Sequence, residues 1–280
     1  MSEQQVCCPT ARLEKLLLAT DGSEQSEGAI RETINLAKIC SSKIYAISVI
    51  ETNAEFMASA PGFFEKYEKQ IRQHLESVKA RASKENLDCE IIIHEGEQPF
   101  RHIVDEAEGK QVEMILMGRY GRTGLDRLLM GSVTAKTIGH SPCKVMVVPG
   151  ATKVSYKNIL TATDGSKYSE AAGLEAIGIA KRCGSNLIAI SVAARDTNLA
   201  VAKESVERVR QIAEKEGIKV ESLALKGTPY EVIVNTAEQK GADLIVVGSH
   251  GRTGVKRLLM GSVTERVIGH SKSAVLVVKA

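Results

Sequence analysis

Short apolar runs alternate with amphipathic stretches along the chain, and the whole series occurs twice. In the first half the runs fall at residues 16–19, 43–50, 90–94, 114–117 and 144–148. In the second they fall at 159–162, 186–192, 219–225, 244–247 and 274–278. Runs this short, most of them apolar throughout, predict buried strands. The stretches between them have helical spacing: one from the first turn to Lys38 or Lys181, then 65–85 or 202–216, then 99–109 or 229–240, and one opening near Ser132 or Ser262. Strands alternating with helices, most strands lacking a polar face, predict parallel sheets covered on both sides.

The two halves are copies. Residues 121–141 read GRTGLDRLLMGSVTAKTIGHS and residues 251–271 read GRTGVKRLLMGSVTERVIGHS; 16 of the 21 positions agree. ATDGS occurs at 19–23 and again at 162–166. The early matches lie 143 residues apart and the late ones 130 apart, so the second copy is 13 residues shorter. The extra residues fall within 51–66. That segment holds Phe56, Met57, Phe63 and Phe64, which read as core packing, a lid or an interdomain contact. Residues 150–157 form a short linker, which predicts that the two domains, 11–149 and 156–280, pack together.

Composition then narrows the possibilities. With 43% hydrophobic and 25% charged residues, each half has enough apolar side chains for its own core. A net charge of +3 gives no electrostatic grip on nucleic acid or an anionic membrane. Aromatics are 4% and Trp is absent, which disfavours stacking on single strands. No apolar run approaches bilayer length, and the N-terminus lacks a signal-peptide pattern, so a cytoplasmic location is expected. The six cysteines form no C-x-x-C pair and no metal-ligand cluster. They read as reduced thiols, with Cys7 and Cys8 in a loose N-terminal tail.

In doubly wound sheets ligands bind beyond the carboxyl ends of the strands. Three loops per half leave such ends. After strand one stands Asp21 or Asp164, either a ligand acceptor or a helix N-cap. After strand four stand Gly118, Gly121, Gly131 and Ser132, matched by Gly248, Gly251, Gly261 and Ser262. Glycines let backbone N–H groups approach an anion, and the following helix start adds its own donors and dipole. The full pattern favours a phosphate site over simple turns. At the end of strand two, Val49 or Val192 is core, or else a wall for a base. Neither a G-x-x-x-x-G-K-[ST] loop nor a G-x-G-x-x-G turn after the first strand is present. Arg122, Arg127, Arg252 and Arg257 either steer phosphate or are plain surface charge. His140 and His270 read as helix closers.

The ATDGS start, the G-x2-G-x9-G-S segment and the closing strand resemble the universal stress protein family, in its tandem form. The resemblance covers all but roughly the first ten residues and the linker. It implies an α/β fold of two doubly wound domains, Rossmann-like and of the adenine-nucleotide α-hydrolase type. Each domain is then a five-stranded parallel sheet of order 3-2-1-4-5 with helices on both faces. It implies a stress-response protein that binds ATP or AMP, with Mg2+ accompanying a triphosphate and with no catalytic residue or resident metal assigned. A slow ATPase or phosphotransferase and a scaffold with vestigial sites are the alternatives.

Carried over, the nucleotide site comprises Ala19, Asp21, Val49, Met117, Gly118, Gly121, Gly131, Ser132 and Val133. Its second copy comprises Ala162, Asp164, Val192, Val247, Gly248, Gly251, Gly261, Ser262 and Val263. The first copy departs from the commoner pattern. Arg119-Tyr120 replaces Ser249-His250 and either hinders access or, through Arg119, holds phosphate, so the second half reads as the fuller binder. The resemblance also implies pairing of the last strands, 145–148 against 275–278, as an internal pseudo-dimer, and association into a homodimer.

Overall fold

The computed structural model describes residues 8–52, 61–121, 130–252 and 260–280, without the side chains of 61–64. The first half contains β1 (Lys15–Ala19), α1 (Glu27–Cys40), β2 (Lys43–Glu51), α2 (Pro61–Lys84), β3 (Cys89–Gly96), α3 (Pro99–Lys110), β4 (Met114–Met117), α4 (Ser132–His140) and β5 (Lys144–Val147). The second repeats the series as β6 (Asn158–Ala162), α5 (Lys167–Cys183), β7 (Asn186–Ala193), α6 (Leu199–Lys215), β8 (Val220–Lys226), α7 (Pro229–Gln239), β9 (Leu244–Gly248), α8 (Ser262–His270) and β10 (Ala274–Val278). All ten strands form one sheet, ordered β3-β2-β1-β4-β5-β10-β9-β6-β7-β8. The expected 3-2-1-4-5 order appears in each half.

Local sequence explains the element ends. α1 buries Ala29, Ile30, Thr33, Leu36 and Ala37, a helical stripe, and stops where Ser41 turns left-handed at φ 58°. α5 begins with Ser166 accepting from the Ser169 N–H and ends at Gly184 with φ 64°. α3 and α7 each open with proline, which has no N–H to lose in a first turn. α2 starts at Pro61, four residues before its predicted start, so the inserted segment partly extends this helix. The rest of the predicted aromatic loop, with Phe56 and Met57, lies outside the described residues, as do Arg122, Arg127 and Arg257.

The sheet separates two cores. Leu16 and Leu18 enter one while Leu17 and Ala19 enter the other, as alternating strand positions must. Central strands are buried throughout, whereas the outer β3 and β8 are only partly covered. The halves meet through antiparallel pairing of β5 with β10: Val145 opposite Val277, Met146 opposite Leu276, Val147 opposite Val275. All six side chains are buried, and full burial of such a side chain is worth about 1.5–3 kcal/mol.

The thiol expectation is corrected. Cys8 is disulfide-bonded to Cys40. Residues from Cys8 onward are not a loose tail. Thr10 and Leu13 are buried, Ser42 Oγ donates to the Leu13 carbonyl, and Arg182 Nε donates to Pro9 O at 2.9 Å. This packing holds the N-terminal segment beside the end of α1, where Cys40 lies 4.9 Å from Cys8 between Cα atoms. The thiol pattern therefore no longer indicates a reducing compartment. Cys89 and Cys143 remain thiols, both pushed up by burial.

The linker fills the groove between α1 and the second half. Arg31 donates to the carbonyls of Gly150 and Thr152, Thr152 Oγ1 donates to Lys272 O at 2.6 Å, and the buried Tyr156 hydroxyl donates to Glu32 Oε1 at 2.5 Å. Burial pushes the Glu32 carboxyl up to about 7, against hydrogen bonds from Tyr156 and Asn35. Its ordinary value is 4.5, so between the two the folded chain keeps a proton that the unfolded chain releases. Stability from the neutral carboxyl is complete below about 4.5 and is lost as pH rises through about 7. Glu32→Gln keeps an acceptor for Tyr156 and cannot ionise. We expect urea denaturation to show it matching wild type near pH 4.5 and gaining up to about 3 kcal/mol over it at pH 8.

Candidate functional site

Both Asp-Gly-Ser segments form the same turn. Gly22 and Gly165 both sit at φ 77°, a conformation strained for residues with a Cβ. Asp21 Oδ1 accepts from Ser23 N at 3.0 Å and Ser23 Oγ at 2.7 Å; Asp164 Oδ1 accepts from Ser166 N at 3.0 Å. The helix-cap alternative is thereby resolved, because Ser23 and Ser166 occupy the N-cap positions and the aspartates brace the turn before them. Burial opposes ionisation of Asp164, yet hydrogen bonds from Ser166, the Arg252 N–H and Ser169 hold its carboxyl below the usual range.

The motif glycines permit close approach. A Cβ on Gly118 would stand 2.7 Å from the Gln25 carbonyl oxygen, and one on Gly248 2.6 Å from that of Tyr168. These glycines let the ends of β4 and β9 pass against the preceding helical turns. A Cβ on Gly121 would lie 2.9 Å from Asp21 Oδ2, and one on Gly251 2.7 Å from Asp164 Oδ2. The motif therefore seats its loop directly on the aspartate. Gly131 and Gly261 are N-caps of α4 and α8, with φ near −65°. Thr134 Oγ1 donates to Gly118 O at 3.1 Å and Thr264 Oγ1 to Gly248 O at 2.8 Å, fixing each helix start over its strand end. The N–H groups of a helix's first turn have no intrahelical acceptor, so α4 and α8 present donors beyond the strand ends.

In the first half these parts enclose a cavity of about 290 Å³. All nine predicted residues of that half line it: Ala19, Asp21, Val49, Met117, Gly118, Gly121, Gly131, Ser132 and Val133. Tyr120, expected at the site's entrance, lines it too, and so do Thr20, Ser26, Ile47, Glu51, Tyr67, Pro99, Ile103 and Thr134, which were missed in sequence. Some of these carried a signal. Ile47 and Glu51 follow from Val49 by strand alternation, and Thr134 recurs as Thr264 in the repeat. Tyr67, Pro99 and Ile103 did not, since their helices reach the site only through packing.

The second half gathers its counterparts differently. Asp164 Oδ2 accepts from the Arg252 N–H at 2.8 Å, and the Arg252 guanidinium would stand 3.2 Å from a Cβ on Gly165. His250 packs its ring 5.2 Å from that of Tyr168. Ser249 is buried and His250 lies against α5. Val263 is exposed on α8.

Arg119 is a correction. It does not hold the first site's anion region. Its guanidinium crosses to the other half, donating to Gly269 O at 2.9 Å and to Ser271 O, at the end of α8. Lys279 makes the reciprocal contact, donating to Gly139 O at 2.9 Å near the end of α4. A cation at a helix C-terminus satisfies carbonyls that lack partners. Tyr120 remains on the cavity wall and does not close it. His140 and His270 end their helices as expected, their Nδ1 atoms 2.8 Å from the carbonyls of Lys136 and Arg266.

The model of the universal stress protein family matches residues 12–149 and again residues 155–279. A universal stress protein of Methanocaldococcus jannaschii is 39% identical over 140 residues, spanning 44% of this chain and 82% of that protein. One of Mycolicibacterium smegmatis is 26% identical over 293 residues, spanning 94% of this chain and 96% of its own length. The crystal structure of a universal stress protein from Archaeoglobus fulgidus superposes with a TM-score of 0.77 at 25% identity, covering 95% of this chain and 98% of that one.

The Arg119 bridge has a measurable consequence. Arg119→Ala leaves two helix-end carbonyls without their donor, and we expect a loss of about 1–3 kcal/mol in urea denaturation. Arg119→Lys should recover only part, since a point charge cannot span both carbonyls as a planar fork does.

Proposed function

Because the chain belongs to the universal stress protein family, we propose that it binds an adenine nucleotide, ATP or AMP, in the first-half cleft and acts as a nucleotide-responsive factor in the stress response. The second half is the pseudo-symmetric second site. The observation that carries this reading is the convergence of all nine motif-derived residues on one cavity at the ends of β1, β2 and β4.

The chemistry of the walls divides the ligand. Phosphate oxygens belong at Gly118, Gly121, Gly131 and Ser132, where backbone N–H groups, the Ser132 hydroxyl and the positive end of α4 meet. The nucleoside belongs against Ile47, Val49, Ile103 and Met117, the apolar side of the cavity. Asp21 stands between the two regions and suits ligand hydroxyls. In this reading Mg2+ travels with a triphosphate instead of residing in the protein. The nucleotide acts by stabilising the conformation that binds it.

Calorimetric titration with AMP and ATP, alongside thermal melts, tests the proposal. Nucleotide at 100 times its Kd should stabilise the wild-type chain by about 2.7 kcal/mol for each site it fills. Gly131 has φ −65° and a Cβ there would meet nothing closer than 3.3 Å, so Gly131→Val should fold while crowding the anion position. We expect at least tenfold weaker binding at the first site, with the ligand-free melting temperature little changed. Gly261→Val should act on the second site alone. Wild-type protein showing neither heat nor thermal protection at millimolar nucleotide would overturn the proposal.

A further inference from the structure

Strand alternation places Ile47, Val49 and Glu51 on the same face of β2, and all three line the first cleft. Two apolar side chains are thus followed outward by one carboxylate. β1 lies between β2 and β4, so the β2 wall stands two strand spacings, about 10 Å, from the glycine loops. A ligand with its anionic group on the N-terminus of α4 reaches β2 with its opposite end. Glu51 is the charged side chain at that end. Ionised, it only accepts hydrogen bonds, and among the described residues no cation or donor occupies it.

The other half lacks this group. Counting from the matched Val49 and Val192, Glu51 corresponds to Ala194, just beyond the end of β7 at Ala193. The two halves therefore repeat the glycine motif and differ at this position of the second strand.

We infer that Glu51 is a specificity determinant of the first cleft, accepting a hydrogen bond from an exocyclic amine on the base of the bound nucleotide. The inference rests on the nucleotide reading above. A base without that amine leaves the carboxylate facing C–H or a lone pair, with its hydration partly lost and nothing returned. A cleft ending in alanine has no such penalty and discriminates little.

The test compares AMP with purine riboside 5′-monophosphate, which carries hydrogen in place of the 6-amino group. Titrations use the full chain with Gly261→Val, so that the first cleft alone is read. A two-site fit to the chain without that substitution is the second measurement should Gly261→Val melt early. AMP should bind at least tenfold tighter than the analogue. Glu51→Ala, which copies the second half, should bring the two Kd values to within about twofold of each other, by weakening AMP and relieving the analogue. Glu51→Gln retains a carbonyl acceptor and should keep part of the preference. An AMP-to-analogue ratio near one, or a ratio unchanged by Glu51→Ala, overturns the inference while leaving nucleotide binding standing. Failure of both ligands to bind overturns the nucleotide reading and this inference with it.

Discussion

The antiparallel pairing of β5 with β10 is the constraint on which the remaining architecture depends. A five-stranded parallel sheet that ends on its last strand exposes a row of unpaired backbone groups and an apolar edge. Here each half covers the other's edge, and the Val-Met-Val and Val-Leu-Val segments bury one another. Two domains become one ten-stranded sheet with partly covered strands left only at its outer margins. The pairing also brings the C-terminal end of each helix that follows the glycine motif beside the opposite half. That is why Arg119 finds the α8 carbonyls and Lys279 the α4 carbonyl.

Within each half the glycine motif serves two purposes. Gly118 and Gly248 are needed for packing, since a side chain at either would strike backbone. Gly121 and Gly251 are needed so that the loop can rest on an aspartate already engaged in its own turn. The donors of the helix start then project into the space that this packing leaves. Backbone groups held in place by packing can offer positive charge without a dedicated cationic side chain.

Pseudo-symmetry in sequence did not carry through to symmetry of the sites. Arg119 is committed to the interface while its counterpart Ser249 is buried, and Tyr120 lines a cavity where His250 leans on Tyr168. The linker breaks symmetry further by filling one interdomain groove with Val154 and the Tyr156–Glu32 pair. These differences come from single positions within nearly identical motifs.

Strand and helix identity was legible from the sequence because apolar periodicity and turn residues act locally. The runs 114–117 and 274–278 coincide with β4 and β10, and the remaining elements differ only at their ends. The nine first-half residues that line the cavity were legible because they sit at strand ends and in one contiguous motif. Sequence could not show that Cys8 meets Cys40, that Arg119 points away from the cleft, or that Tyr67, Pro99 and Ile103 close its sides. Each of these depends on where separate elements come to rest against one another. Periodicity records which face of an element is buried, but only the packed structure decides what that face meets.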